Sequence, residues 1–207
     1  MSHIITIGRE FGSGGRELGK RLADALHVSC YDQEIVNEVA RLHGLDPGHV
    51  ERISEADIRA AYPITIGRRF SVPPIVQPDT VKILVSQQNV IRALAGRGDC
   101  VVVGHAADVV LQEMSPLNLF VYADQESRLA RCIQRANGDD NVRTILRQME
   151  RINKDRAAYR ELVTNSAWGK KETYHLCINT SGKEIKSLIP GIAAYVRSWF
   201  DTEDEWL

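Results

Sequence analysis

Four residues near the amino terminus, Gly12, Ser13, Gly14 and Gly15, form the pattern in this sequence that is best suited to chemistry. They lie between a β-branched run and a segment with helical periodicity. Glycine accepts positive φ angles and lets a backbone N–H group approach a ligand closely. Successive N–H groups ahead of a helix hold anions, because the amino end of a helix is electropositive. We therefore predict a phosphate-binding loop, against the alternative of a tight turn that only begins a helix.

The charges around this loop depart from the common phosphate-loop pattern GxxxxGK[ST]. If Gly14 is its second glycine, Arg9 stands at the first glycine, Gly15 at the lysine and Arg16 at the hydroxyl. Arginine can bind two phosphate oxygens at once, so Arg16 is predicted to take over part of the lysine's role. The alternative is a solvated first-turn arginine, which the helix dipole disfavours unless an anion lies beside it.

The apolar pattern indicates the elements that must position this loop. Continuous apolar runs predict buried strands of a parallel sheet that is covered by helices on both faces. The predicted strands are residues 4–7, 100–103, 119–122 and 176–178, with 28–31 as a weaker one. Helical repeats lie between them, at Leu18, Leu22, Ala25 and Leu26, at Ile35, Val39 and Leu42, and at Val85, Asn89 and Leu94. This alternation predicts a doubly wound α/β domain.

Composition narrows the class of protein. The 207 residues suit one domain, and a net charge of −1 gives no general attraction to nucleic acid or acidic lipid. No apolar run approaches the ~18 residues of a membrane span, and the amino terminus lacks the pattern of a signal peptide. The cysteines and histidines show neither CxxC nor HExxH spacing, which argues against a disulfide framework or a zinc site. We expect a cytoplasmic protein that binds neither membranes nor nucleic acid.

Most of the chain resembles the cytidylate kinase-like family, a branch of the nucleoside monophosphate kinases. The matching segments are REFGSGGRE, YDQEIVNEVA, LAGRGDCVVVGHAADVVL, NKDRAAYRELVTNSAWG and YHLCINTS. The resemblance implies a three-layer P-loop kinase fold over residues 1–207, with a helical acceptor-binding excursion at about 33–95 and an arginine-bearing lid at about 135–170. Residues 44–79 and the acidic tail do not match the family. For residues 44–79 we predict a mostly helical segment with a proline-rich loop that covers a site.

The resemblance also implies the donor and acceptor sites. Family members carry the same lysine-free loop, so the residues expected to hold ATP phosphates are Gly12, Ser13, Gly14, Gly15, Arg16 and Glu17. Asp32 follows the second strand, at the sheet edge where ligands bind, and matches an aspartate near the acceptor; a helix N-cap is the alternative. The family usually has Gly-Arg where this chain has His105, which carries no permanent charge near pH 7. Asp108 and Arg128 complete the expected acceptor residues.

Eight arginines lie within residues 128–160, several at helical spacing. For most of them we expect a solvated face paired with nearby carboxylates. By match to the family's lid, Arg156 and then Arg151 are predicted to act with Arg16 on the transferring group. Asn153 stands where relatives often have aspartate. Thr180 and Ser181 match the loop that often frames the donor's adenine, with a helix cap as the alternative.

These features together predict phosphoryl transfer from ATP, with Mg²⁺, to a nucleoside monophosphate, CMP or dCMP first. The alternatives are a kinase of the same fold with another small acceptor, and a nucleotide-binding regulatory protein without useful turnover. The expected partners are small-molecule nucleotides, and the expected state is a monomer or a homodimer. No protein side chain is predicted to bind the metal directly.

Overall fold

The apolar runs form one parallel sheet in a computed structural model of the protein, which describes residues 2–50, 78–136, 141–164 and 167–201. The strands are β1 (Ile4–Arg9), β2 (Ser29–Tyr31), β3 (Cys100–Val103), β4 (Leu117–Tyr122) and β5 (Leu176–Asn179). They lie in the order β2-β3-β1-β4-β5, and every neighbouring pair is parallel. All five predicted strands are confirmed, with ends that differ by one or two residues.

Seven labelled helices flank the sheet in the described residues. They are α1 (Gly15–Leu26), α2 (Gln33–His43), α3 (Pro78–Ala95), α4 (Ala107–Val110), α5 (Gln125–Arg135), α6 (Val142–Val163) and α7 (Ile185–Asp201). Successive side chains of a strand point to opposite faces. Val101 and Val103 therefore join a core with α1 and α7, whereas Cys100 and Val102 join a core with α2 and α3.

Three residues of the predicted helical repeats, Leu42, Val85 and Asn89, do not face a core. Leu42 is 52% exposed and Val85 is 50% exposed, although Ile35, Val39 and Leu94 are buried as expected. The repeat identified the helices correctly but overestimated the width of the face that each one buries. None of the helices in the described ranges has the length and apolar character that a bilayer crossing requires.

The carboxyl ends of the strands meet at one edge of the sheet, where loops rather than helices follow each strand directly. Ligands in open α/β sheets bind at this edge. The glycine loop follows β1, Asp32 follows β2, and Gly104 follows β3. Most of the segment 44–79 within the predicted excursion, short parts of the predicted lid and the acidic tail lie outside the described residues. The sheet thus brings the candidate donor and acceptor residues to the same edge.

Candidate active site

The glycine loop takes the backbone conformation that its sequence predicts. Gly12 and Gly14 have φ angles of 79° and 84°, and Gly14 lies at the N-cap of α1. The N–H group of Ser13 donates to the carbonyl of Glu10 at 3.3 Å, so it is not available to an anion. In the described part of the chain, the N–H groups of Gly12, Gly14 and Gly15 have no hydrogen-bond acceptor. The prediction of four donors is therefore wrong for Ser13, and three remain.

Side chains from distant elements hold this loop in place. The Thr180 hydroxyl, which is fully buried, donates to the carbonyl of Ser13 at 2.7 Å. Arg131 donates to the carbonyl of Thr180 at 2.6 Å and lies 3.4 Å from the Gly12 carbonyl. Asn153 accepts from the N–H of Phe11 at 2.7 Å, which ties α6 to the loop. Thr180 does not cap α7, which begins five residues later at Ile185.

Asp32 lies between two arginines at the end of β2. Arg9 donates to Asp32 Oδ1 at 3.3 Å, and Arg16 Nε forms an ion pair with Asp32 Oδ2. Asp32 occupies the N-cap position of α2, but its side chain makes no capping hydrogen bond, so the cap interpretation is wrong. Arg9 is buried, whereas the Arg16 side chain is 59% exposed. The structure thus links the predicted acceptor residue Asp32 to the predicted donor residue Arg16.

A buried polar network supports the turn after β3. Gly104, His105 and Ala106 have successive positive φ angles of 84°, 57° and 50°, a strained arrangement for the two residues with side chains. Gln87 Nε2 lies 2.6 Å from His105 Nδ1, and the Tyr159 hydroxyl donates to Gln87 Oε1 at 3.2 Å. The Gln87 amide thus joins the His105 ring to the Tyr159 hydroxyl. Burial raises the pKa of Tyr159, which keeps its hydroxyl a donor.

Two further ion pairs fix predicted acceptor residues. Arg160 and Asp108 form a buried pair, and the Arg160 guanidinium lies 5.7 Å from the centre of the Tyr174 ring. Arg128 Nε lies 3.5 Å from Glu10 Oε2. A Cβ at Gly12 would lie 2.8 Å from the Arg128 carbonyl oxygen, so Arg128 packs beneath the glycine loop. Asp108 therefore lines the same cleft as His105, whereas Arg128 does not.

Two adjoining clefts contain most of these groups. The larger, with a volume of about 470 Å³, is lined by the glycine loop and by arginines, namely Arg9, Arg16, Arg135, Arg151 and Arg156. The smaller, of about 50 Å³, is lined among others by Arg9, Gly104, His105, Asp108, Arg156, Tyr159, Arg160, Trp168 and Tyr174. Arg9 and Arg156 line both. Arg156 donates to the carbonyl of Arg9 at 3.2 Å and lies 5.8 Å from the Phe11 ring centre.

Comparison with known proteins identifies the family. Residues 4–182 match the model of the cytidylate kinase-like family. The chain belongs to this family. A crystal structure of an uncharacterized protein from Eubacterium ventriosum ATCC 27560 superposes with a TM-score of 0.69 at 25% identity, covering 95% of this chain and 99% of that chain. No curated protein matches the chain in sequence.

The fold of this cytidylate kinase-like protein is that of the P-loop kinases. Shikimate kinase from Bacteroides thetaiotaomicron superposes with a TM-score of 0.56 at 11% identity, covering 95% of this chain and 99% of that chain. Shikimate kinase from Acinetobacter baumannii in complex with shikimate gives a TM-score of 0.50 at 18% identity, covering 96% and 94%. The predicted three-layer α/β fold is confirmed, and family membership supports a kinase.

The described part of this cytidylate kinase-like chain offers few side chains for direct metal binding or for thiol chemistry. It contains no group of three or more His, Cys, Asp or Glu residues that could hold a metal ion. Kinase Mg²⁺ is held largely by nucleotide phosphates and water, so such a group is not required. All four cysteines are free thiols, and burial raises the pKa of Cys30 and Cys100 to about 11.

Sequence reasoning missed three residues of this cytidylate kinase-like site. The sequence marks Arg9 only as a charged residue near the loop and Arg160 only as one of the arginines at helical spacing. It gives no signal for Gln87. Their roles depend on pairs that are far apart in the chain, such as Arg160 with Asp108. The one sequence signal for Arg9 is its place at the end of β1, directly before the glycine loop.

Proposed function

We propose that this protein transfers the γ-phosphoryl group of ATP to a nucleoside monophosphate, with CMP and dCMP as the first candidates. The observation that carries the proposal is the pair of adjoining clefts at the carboxyl edge of the sheet. One contains a glycine loop and five arginines, and the other contains His105 and the Asp108–Arg160 pair. Kinases require two facing anion sites with cations between them.

The larger cleft suits the triphosphate of ATP. The N–H groups of Gly12, Gly14 and Gly15 lie at the amino end of α1, where the helix dipole favours anions. A further depression of about 540 Å³, lined by Arg135 as well as Glu17, Arg131 and Lys183, adjoins this cleft and gives room for the donor nucleoside. Mg²⁺ bound with the phosphates would supply a Lewis acid that stabilises charge on their oxygens.

The smaller cavity suits a phosphorylated acceptor with a planar base. His105 contributes an imidazole ring that can hydrogen-bond a phosphate, and Arg9, Arg156 and Arg160 contribute positive charge. Trp168 and Tyr174 form an aromatic wall next to these groups, which suits stacking against a nucleobase. Asp32 lies just beyond Arg9 and fixes its position.

Catalysis would come from alignment and charge neutralisation rather than from a covalent enzyme intermediate. An oxygen of the acceptor phosphate forms a bond to Pγ as the bond from Pγ to the β–γ bridging oxygen breaks. That electron pair stays on ADP, and the acceptor becomes a nucleoside diphosphate. Arg151 and Arg156 on α6 border the donor cleft, and Arg156 also reaches the acceptor cavity.

A kinase for a different small acceptor is the second candidate. It is favoured by His105, which stands where relatives usually have an arginine, and by the small volume of the acceptor cavity, about 50 Å³. A neutral imidazole donates one hydrogen bond where arginine would add a permanent charge.

The test is ADP release from Mg·ATP with CMP, dCMP, UMP, AMP or no acceptor. We expect the fastest release with a cytidine monophosphate. We also expect Arg156→Ala to lower turnover by about 100-fold while changing ATP affinity much less, because its contact strengthens in the transition state. Arg197→Met, an exposed arginine that donates to Ala25 at the far end of α1, is the matched control. ADP release no faster with any nucleoside monophosphate than without acceptor would contradict the proposal.

A further inference from the structure

The buried side chain of Arg9 crosses from the glycine loop to the turn after β3. Its Cβ lies 2.5 Å from the place where a Cβ at Gly15 would be, so the stem passes directly over the loop. Its Nη1 lies 1.5 Å from the place where a Cβ at Gly104 would be. Glycine at both positions therefore leaves the room that this side chain fills. Arg9 is only 8% exposed.

Gly15 is the residue that stands at the lysine of the common phosphate-loop pattern. A side chain at Gly15 would collide with the Arg9 stem, because a Cβ there would also lie 3.1 Å from Arg9 Cγ. A loop lysine at this position and the observed course of Arg9 therefore exclude each other. The chain has an arginine that enters from the end of β1 in place of a lysine that enters from α1.

We propose that Arg9 is the cation that contacts the γ-phosphoryl group during its transfer, in the role that a phosphate-loop lysine usually has. This inference rests on the proposed function, since it assumes that the larger cleft holds ATP. Arg9 lines both clefts, and its guanidinium lies against Gly104, at the turn that borders the smaller one. As the bond from Pγ to the bridging oxygen breaks and the acceptor oxygen bonds to Pγ, the guanidinium neutralises charge on the phosphoryl oxygens.

Arg16, the replacement predicted from the sequence, is less suited to this role. Its side chain is 59% exposed and lines only the larger of these two clefts. Asp32 pairs with both arginines, so one carboxylate holds Arg9 and Arg16 beside the glycine loop. The hydrogen bond from Arg9 to Asp32 Oδ1, 3.3 Å long, also helps to fix the guanidinium, and a catalytic cation has to be preorganised.

Comparison of ATP with ADP isolates the γ-phosphoryl group. The experiment is calorimetric titration of Mg·ATP and Mg·ADP, without acceptor, into the wild type, Arg9→Gln, Arg9→Lys, Arg16→Gln and the control Arg197→Met. We expect Arg9→Gln to weaken ATP binding by about tenfold or more and ADP binding by less than about threefold. Arg9→Lys keeps a charge and should retain most of the preference for ATP. Arg16→Gln should affect both nucleotides alike.

The outcomes separate this inference from the proposed function. Equal losses of ATP and ADP affinity in Arg9→Gln, or no loss, would overturn the role of Arg9 even if the protein proves to be a kinase. A selective loss of ATP affinity would support it even if no nucleoside monophosphate accelerates ADP release. If circular dichroism shows that Arg9→Gln does not fold, Arg9→Lys decides. A larger loss of ATP affinity than of ADP affinity in Arg9→Lys supports the role, and equal losses of the two affinities overturn it. A wild type that binds neither nucleotide would overturn both proposals.

Discussion

Replacing Gly104 by alanine tests the packing of Arg9 against the turn after β3. Gly104 has a φ angle of 84°, and its new Cβ would lie 1.5 Å from Arg9 Nη1 and 2.6 Å from Arg9 Cζ. The guanidinium must move, and its hydrogen bond to Asp32 Oδ1, 3.3 Å long, must break or lengthen. Gly104→Ala therefore combines a backbone cost with the loss of a buried charged contact.

The two costs can be estimated separately. A left-handed conformation costs alanine about 1 kcal/mol. Loss of a hydrogen bond between charged groups costs about 2 kcal/mol. The free energy of unfolding should fall by about 3 kcal/mol, or about 6–12 °C in the melting temperature for a chain of this size. Gly44→Ala is the matched control, because Gly44 has a φ angle of 63° with no atom near its absent Cβ. It should cost only about 1 kcal/mol.

A double-mutant cycle with Arg9→Ala attributes the larger cost to its cause. Without the Arg9 side chain nothing obstructs the new Cβ, so Gly104→Ala should cost only about 1 kcal/mol in that background. The coupling free energy between the two positions is then about 2 kcal/mol, measured by urea denaturation. Equal costs in both backgrounds would refute the packing argument and would remove the structural basis for placing Arg9 between the two clefts.

The remaining predictions concern the loop and its supports. Arg16→Ala should lower the free energy of unfolding by less than about 1 kcal/mol, because the Arg16 side chain is 59% exposed and Asp32 keeps its contact with Arg9. It should also weaken Mg·ATP binding or slow turnover about tenfold, as measured by calorimetry and ADP release. Thr180→Val should destabilise by about 1–2 kcal/mol in urea, because it leaves the Ser13 carbonyl without its donor. Burial lowers the pKa of His175, whose Nδ1 accepts from the Asn118 N–H. The unfolded state therefore binds the proton more readily, stability should fall as pH drops below about 6.5, and His175→Gln should flatten that slope.

The fold could be predicted because each strand is a local signal. Residues 100–103 are apolar without interruption, and the structure buries all of them. The helix repeats located α2 and α3, but periodicity cannot tell how much of a helix its neighbours cover. Leu42 and Val85 are exposed for that reason. Exposure of these side chains is decided by tertiary packing rather than by local sequence.

The site was predictable only where its residues are adjacent in the chain. The loop from Gly12 to Gly15 is contiguous, and Gly12 and Gly14 have the positive φ angles that its composition suggested. Arg9 acquires its position from Gly104, 95 residues later, and no local pattern encodes that contact. Arg160 looked like part of a solvated stripe because its partner Asp108 lies on another element. Distance along the chain, rather than residue type, limited the prediction.

His105 stands where the family usually has an arginine. Under the proposed function, this difference need not remove a preference of the protein for an anionic acceptor. Among the described residues, the smaller cleft is lined by three arginines, Arg9, Arg156 and Arg160, and by Asp108. Two of the three also line the donor cleft, so their charge acts on both phosphates at once. The His105 ring can still form a hydrogen bond through its nitrogens. In this chain, arginines of β1 and α6 therefore line the cleft that His105 borders.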